Sequence, residues 1–93
     1  MFNRVLALIK ERMWEGRYVM TLHAEEEMDS DNLEIFDVEN AVLTGRIIER
    51  QRDRITREWK YLLRGQTLSE TSVIVVLKLS PTGKAVILTI YKE

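Results

Sequence analysis

Apolar residues recur at spacings of three and four near the start of the chain, where Phe2, Val5, Leu6, Ile9 and Met13 are separated by Asn3, Arg4, Lys10, Glu11 and Arg12. This is the stripe of an amphipathic helix, and Gly16 is placed to end it. Arg17 to Met20 is too short to predict more than a brief extended segment. Thr21 then offers an oxygen able to cap a second helix, whose first turns carry Glu25, Glu26 and Glu27, acids that suit the positive end of a helix dipole. Asp29-Ser30-Asp31-Asn32 is a break. After it, Leu33 and Val38 stand at hydrophobic-staple spacing around a third helix running to about Leu43, with Gly45 as its C′ residue.

Beyond Gly45 the period turns strand-like, with β-rich runs at Ile47 to Arg52, Trp59 to Gly65, Ser72 to Leu79 and Ala85 to Tyr91. Ser80-Pro81-Thr82-Gly83 has the chemistry of a type I turn, so the last two runs are expected to form an antiparallel hairpin. Ser72 to Leu77 is continuously apolar after its serine, as a central strand is. Trp59, Tyr61 and Leu63 alternate with Lys60 and Arg64, predicting a more exposed strand. Along the final run, Thr89 and Tyr91 share one face and Val86, Leu88 and Ile90 the other, taken as the core side. The expected fold is α+β: N-terminal helices packed on a C-terminal, mainly antiparallel four-stranded sheet.

With 45% of 93 residues apolar there is material for one modest core, and the whole chain, 1–93, is expected to be a single domain. The longest apolar run, around Val73 to Leu79, is far short of the roughly 18 residues a membrane span needs. The opening MFNRVLALIKER mixes charge with apolar residues and does not read as a signal peptide, so a cytoplasmic bacterial domain is the expectation. The net charge of −1 hides a segregation. From Tyr18 to Gly45 there is no Lys or Arg, while Glu25, Glu26, Glu27, Asp29, Asp31, Glu34, Asp37 and Glu39 make the stretch strongly acidic. From Arg46 to Arg64 the balance reverses through Arg46, Arg50, Arg52, Arg54, Arg57, Lys60 and Arg64. Arginine offers a permanently charged planar fork to phosphate or carboxylate, which makes this stretch a candidate RNA-binding rim; a merely solvated hairpin is the alternative.

Cysteine is absent and His23 is the only histidine, so the ligand set of a transition-metal site is missing. The acidic residues lack the spacing of a calcium loop, and the four glycines stand singly, unlike a phosphate-binding loop. No cofactor is expected. What the residue types allow is metal-free acid–base chemistry on a phosphodiester: His23 as base or acid, Arg64 as phosphate clamp and Tyr91 as positioner or proton donor. A structural role for His23, with Glu27 four residues on as its partner, is the alternative. If the strands pair in chain order and the helices cover one face, Lys60, Arg64, Thr89 and Tyr91 would converge on the other as a shallow basic platform. Trp59 and Tyr61 could stack on RNA bases there, or serve the core.

The sequence Thr21-Leu22-His23-Ala24, then Leu33 to Val42, then Gly45-Arg46-Ile47-Ile48-Glu49, with Tyr61 to Gly65 and Val86 to Tyr91 in the tail, resembles the domain of unknown function 4258 family over about residues 17–92. Its members resemble RelE-like toxins. The resemblance implies a RelE-like fold, a type II toxin–antitoxin context with an antitoxin protein as partner and RNA as substrate, and His23 as leading site position, followed by Arg64, Thr89 and Tyr91. One position departs from the pattern: Glu27 stands where relatives commonly carry arginine. Two readings follow, an endoribonuclease toxin working through His23, Arg64 and Tyr91, and a non-catalytic module that docks a protein partner or a second copy of itself through its segregated charges.

Overall fold

A computed structural model describes residues 2–93 of the chain. Helix α1 (Asn3–Trp14) buries Ile9 and Met13 and rests Phe2, Val5 and Leu6 against the same core. It ends as expected at Gly16, whose φ of +73° lets the Gly16 and Arg17 amides turn back onto the carbonyls of Met13 and Arg12. The brief extended segment is a true strand, β1 (Tyr18–Met20). It pairs in parallel with the last strand, Val19 opposite Val86, and this corrects the expected four-stranded sheet to five strands. Nothing local in three residues specifies a strand; β1 exists because its partner lies at the far end of the sequence.

Helix α2 (Leu22–Ser30) starts at Thr21, whose hydroxyl accepts from the Ala24 amide at 3.1 Å and donates to the Leu88 carbonyl at 3.0 Å. One side chain thus caps a helix and ties it to the sheet. Thr21→Val, which keeps the shape and removes both bonds, is expected to cost about 1–2 kcal/mol, while Thr21→Ser should recover most of the loss; urea unfolding of the pair checks this. Helix α3 (Ile35–Thr44) opens with the expected staple, since Leu33 and Val38 are both in the core. Asp37 holds the helix start twice, accepting from the Glu34 amide at 3.0 Å and from the Leu68 amide at 3.1 Å.

The sheet continues with β2 (Arg46–Arg52), β3 (Trp59–Gln66), β4 (Ser72–Leu79) and β5 (Ala85–Lys92), in spatial order β1-β5-β4-β3-β2. Neighbours from β2 to β5 are antiparallel and in chain order, and β4 is central, with Val73 to Leu77 all buried. The turn to β5 closes with Gly83 donating to the Ser80 carbonyl. All three helices lie on one face, packing on Tyr61, Leu63, Val73, Val75, Leu77, Ile87 and Ile90.

Packing decides three further expectations. Gly45 does not take a left-handed cap; its backbone is extended (φ −91°, ψ 175°), and a Cβ there would fall 2.6 Å from the Ala41 carbonyl oxygen. Gly65, on β3, is pressed still closer to the same carbonyl. The two glycines let α3 lie directly on the β2–β3 pair. Second, β3 is more exposed than β4, as expected, with Trp59, Arg64 and Gln66 at the surface, while Tyr61 and Leu63 face the helices. Third, the core side of β5 is Ala85, Ile87 and Ile90, not Val86, Leu88 and Ile90, because the register with β4 slips at Leu88 and the pleat changes phase there.

Across the helix layer, the Tyr18 hydroxyl donates to Glu39 Oε2 at 2.7 Å. Burial, reinforced by that carboxylate, pushes the Tyr18 phenol up to about 12. A folded-state value raised above the unfolded one means the contribution is fully present below about pH 10 and is lost as pH rises toward 12. Tyr18→Phe should therefore flatten the fall in stability across that window relative to the unmodified chain, as read by chemical denaturation at stepped pH.

Candidate functional site

The sheet face away from the helices is uncovered, and the strand pairing determines what it carries. Tyr61, Leu63 and Gly65 point at the helices, so Lys60, Leu62 and Arg64 point away. Arg64 is flanked in its row by Arg46 on β2 and Ile74 on β4, with Tyr91 on β5 beyond Ile74. The next row holds Glu49, Leu62, Val76 and Thr89, and Lys60 stands opposite Gln51 after that. Lys60, Arg64, Thr89 and Tyr91 thus share one face, as expected if the strands paired in chain order. Arg64 and Tyr91 are two strand spacings apart, about 10 Å at the backbone. Between them Ile74 and Val76 form an apolar floor, 3% and 8% exposed although no helix covers them.

The basic rim is divided between the two faces. Strict alternation would place Arg46, Arg50 and Arg52 together, but the register slips at Ile48, between Ile47 paired with Leu63 and Glu49 paired with Leu62. Arg46 therefore joins the open face, while Arg50 and Arg52 pair with Tyr61 and Trp59 and take the helix side. There both guanidiniums stack on Trp59, at 3.9 and 4.4 Å from the ring centre, and Arg50 also lies 5.8 Å from the Phe2 ring. Trp59 is engaged with arginine. Arg54 and Arg57 sit at the hairpin tip, where Asp53 Oδ1 accepts from the amides of Ile55 and Thr56, and these bonds hold its carboxyl below the usual range. Ile55 is 92% exposed among them.

The acidic stretch is on the other side of the molecule. Glu25, Glu26, Glu27 and Asp29 are on α2, and Asp37 and Glu39 on α3, both helices packed on the opposite face of the sheet. His23 belongs to this layer too. It is exposed near the start of α2, with Nε2 3.7 Å from Glu27 Oε1. The other two candidate catalytic residues lie elsewhere: Arg64 donates from Nε and Nη2 to the two Glu93 carboxylate oxygens, each at 2.9 Å, and Tyr91 is on the open face. No hydrogen bond or ion pair among the described residues joins His23 to Arg64 or Tyr91.

The span that bears these residues matches a known family model. Described as a domain of unknown function (DUF4258), it covers residues 20–92. The chain belongs to this family. Neither a curated protein nor a solved structure matches it. The matched span takes in α2 through β5 and leaves out α1, although Ile9 and Met13 of α1 complete the core. His23, Arg64, Thr89 and Tyr91 all fall within it.

A hollow beside Arg64 is lined by Thr44, Arg46, Arg64, Gly65, Gln66 and Ser72. Ser72 and Glu93 were not singled out by the sequence, yet the Ser72 hydroxyl donates to the same Glu93 carboxylate that Arg64 holds. Lys78, paired with Glu58 at 3.2 Å, also went unmarked. Only the strand register shows that these side chains are neighbours. No group of three or more His, Cys, Asp or Glu among the described residues is arranged to hold a metal ion, and none of the helices is long and apolar enough to cross a membrane.

Proposed function

We propose that this chain acts on RNA across the open face of its sheet, as a metal-independent endoribonuclease toxin of RelE-like type within a type II toxin–antitoxin pair. One observation carries the reading: the uncovered face gathers Arg46, Lys60 and Arg64 beside Thr89 and Tyr91, while the acidic helices that would repel a phosphate backbone lie on the opposite face. Tyr91, 41% exposed, offers a ring on which a base can stack beside the cations, over the buried Ile74 and Val76. Arg64 is the phosphate clamp and Tyr91 the positioner or proton donor. In this reading His23, on the helix layer beside Glu27, belongs with the acidic surface of α2 and α3 to the side that a protein partner such as an antitoxin would cover.

A second reading is favoured by two contacts: His23 stands 3.7 Å from Glu27 and Arg64 is held by Glu93, so both candidate groups already face a carboxylate. In that reading the chain binds RNA or a protein partner, or a second copy of itself, without cleaving. Incubation of purified protein with single-stranded RNA in excess chelator separates the readings. Cleavage that is lost in Arg64→Ala and Tyr91→Phe and survives His23→Ala is the expected result. Binding without cleavage supports the second reading, and a chain that neither binds nor cuts RNA overturns the proposal.

A further inference from the structure

We infer that the hollow between Arg46, Arg64 and Ser72 is a subsite for one phosphate group, and that the Glu93 side chain is an internal anion that occupies its donors until a ligand displaces it. The inference rests on the RNA reading for the source of the phosphate and adds where one phosphate sits. The geometry is that of anion recognition already in use. Arg64 meets the two Glu93 oxygens with two separate N–H groups, Nε and Nη2, at equal distances of 2.9 Å. This fork-to-fork match serves a phosphate as well as a carboxylate. The Ser72 hydroxyl adds a third donor to the same carboxylate.

Arg46 stands opposite Arg64 in the β2–β3 pairing, lines the same hollow and has no carboxylate within ion-pair distance among the described residues. A carboxylate has two oxygens to satisfy and leaves Arg46 unused. A phosphate presents more oxygens in more directions and carries the charge to engage both guanidiniums, so the set of donors is larger than its present occupant needs.

Displacing Glu93 is inexpensive. The residue follows the last strand and its backbone is tied to Ser72 by one bond, from its amide to the Ser72 carbonyl at 3.2 Å. Arg64 and Glu93 side chains are both partly solvent-exposed, and exposed pairs of this kind contribute little to stability. A side chain that can swing away at small cost, from donors that suit a more highly charged ligand, sets a threshold for binding without blocking it.

Inorganic phosphate is the probe, titrated into isotope-labelled protein while the Arg64 Nε–H signal is followed. Glu93→Gln keeps an acceptor for Arg64 and Ser72 and removes the competing charge; it is expected to bind phosphate about tenfold more tightly than the unmodified chain, with the Arg64 signal moving. In the double variant Arg64→Ala with Glu93→Gln the gain should vanish. Equal or weaker phosphate binding by Glu93→Gln, or a gain that persists without Arg64, would overturn the inference. Unchanged methyl spectra of the core residues Val38 and Ile87 establish that each variant is folded. A parallel titration with a single-stranded RNA oligonucleotide keeps the two claims apart. RNA bound on the open face with no phosphate gain in Glu93→Gln removes the subsite alone, whereas a phosphate gain with no RNA binding keeps the subsite and removes RNA as its source.

Discussion

Gly65→Ala is expected to lose about 3 kcal/mol or more of folding stability, the largest effect of any single methyl added to this chain. The new Cβ would overlap the carbonyl of Ala41, which is backbone in the middle of α3 and cannot rotate aside. Relief requires lifting α3 from the β2–β3 pair, and with it Val38, Ala41 and Val42, all fully buried. In a domain of this size the loss corresponds to roughly 12–24 °C of melting temperature. Gly16→Ala is the control. That glycine has a φ of +73° and nothing within 4 Å of a built Cβ, so the substitution carries only the conformational cost of about 1 kcal/mol. Equal losses in the two variants, measured by thermal and urea unfolding, would show that α3 does not sit as close to the sheet as described.

The second large effect is on binding. Changing Arg46, Lys60 and Arg64 together to alanine is expected to weaken single-stranded RNA binding by about 100-fold at low salt, and to reduce the slope of log affinity against log salt by about 2, as three lost phosphate contacts require. Changing Glu25, Glu26 and Glu27 together to glutamine on the opposite layer should alter the affinity no more than about threefold, since the sheet separates these charges from the platform by more than a screening length at moderate salt. Fluorescence anisotropy across a salt series reads both quantities. Equal effects from the two triples would mean that general charge, not a particular face, governs association.

Much of the fold was legible because its local signals are strong. The 3.6 period of Phe2 to Met13, the threonine cap at Thr21, the Leu33–Val38 staple and the Pro81–Gly83 turn each specify their element from within a few residues. What failed to read depends on distant partners. β1 is three residues whose stability comes from β5. The slips at Ile48 and Leu88 have no signature in the sequence, yet they decide which arginines share a face with Arg64 and which residues of β5 enter the core. Gly45 read as a cap because glycine usually follows a helix for its left-handed freedom; here it is required for closeness, a need created by α3 and β3 together.

The same division holds for the site. Residue types pointed to Lys60, Arg64, Thr89 and Tyr91, and period-two alternation was sufficient to bring them to one face once chain-order pairing held. His23 was singled out by its chemistry and by resemblance, neither of which specifies a layer. Its place on α2 beside Glu27 follows from Ala24 being the residue that the core takes from that helix. The Arg64–Ser72–Glu93 cluster was invisible because it joins β3, β4 and the residue after β5 through side chains that carry no pattern of their own.

The central claim is that RNA meets the open face, and methyl-labelled protein titrated with a short single-stranded RNA tests it most directly. Ile74 and Val76 report from the open face, Val75 and Leu77 from the helix side of the same strand, and Val38 and Val42 from α3. The account predicts that the Ile74 and Val76 methyl signals shift with RNA and saturate together while those of Val75, Leu77, Val38 and Val42 remain in place. Shifts centred on the α3 methyls with Ile74 and Val76 unmoved, or no shift at RNA concentrations that saturate binding by anisotropy, would contradict it.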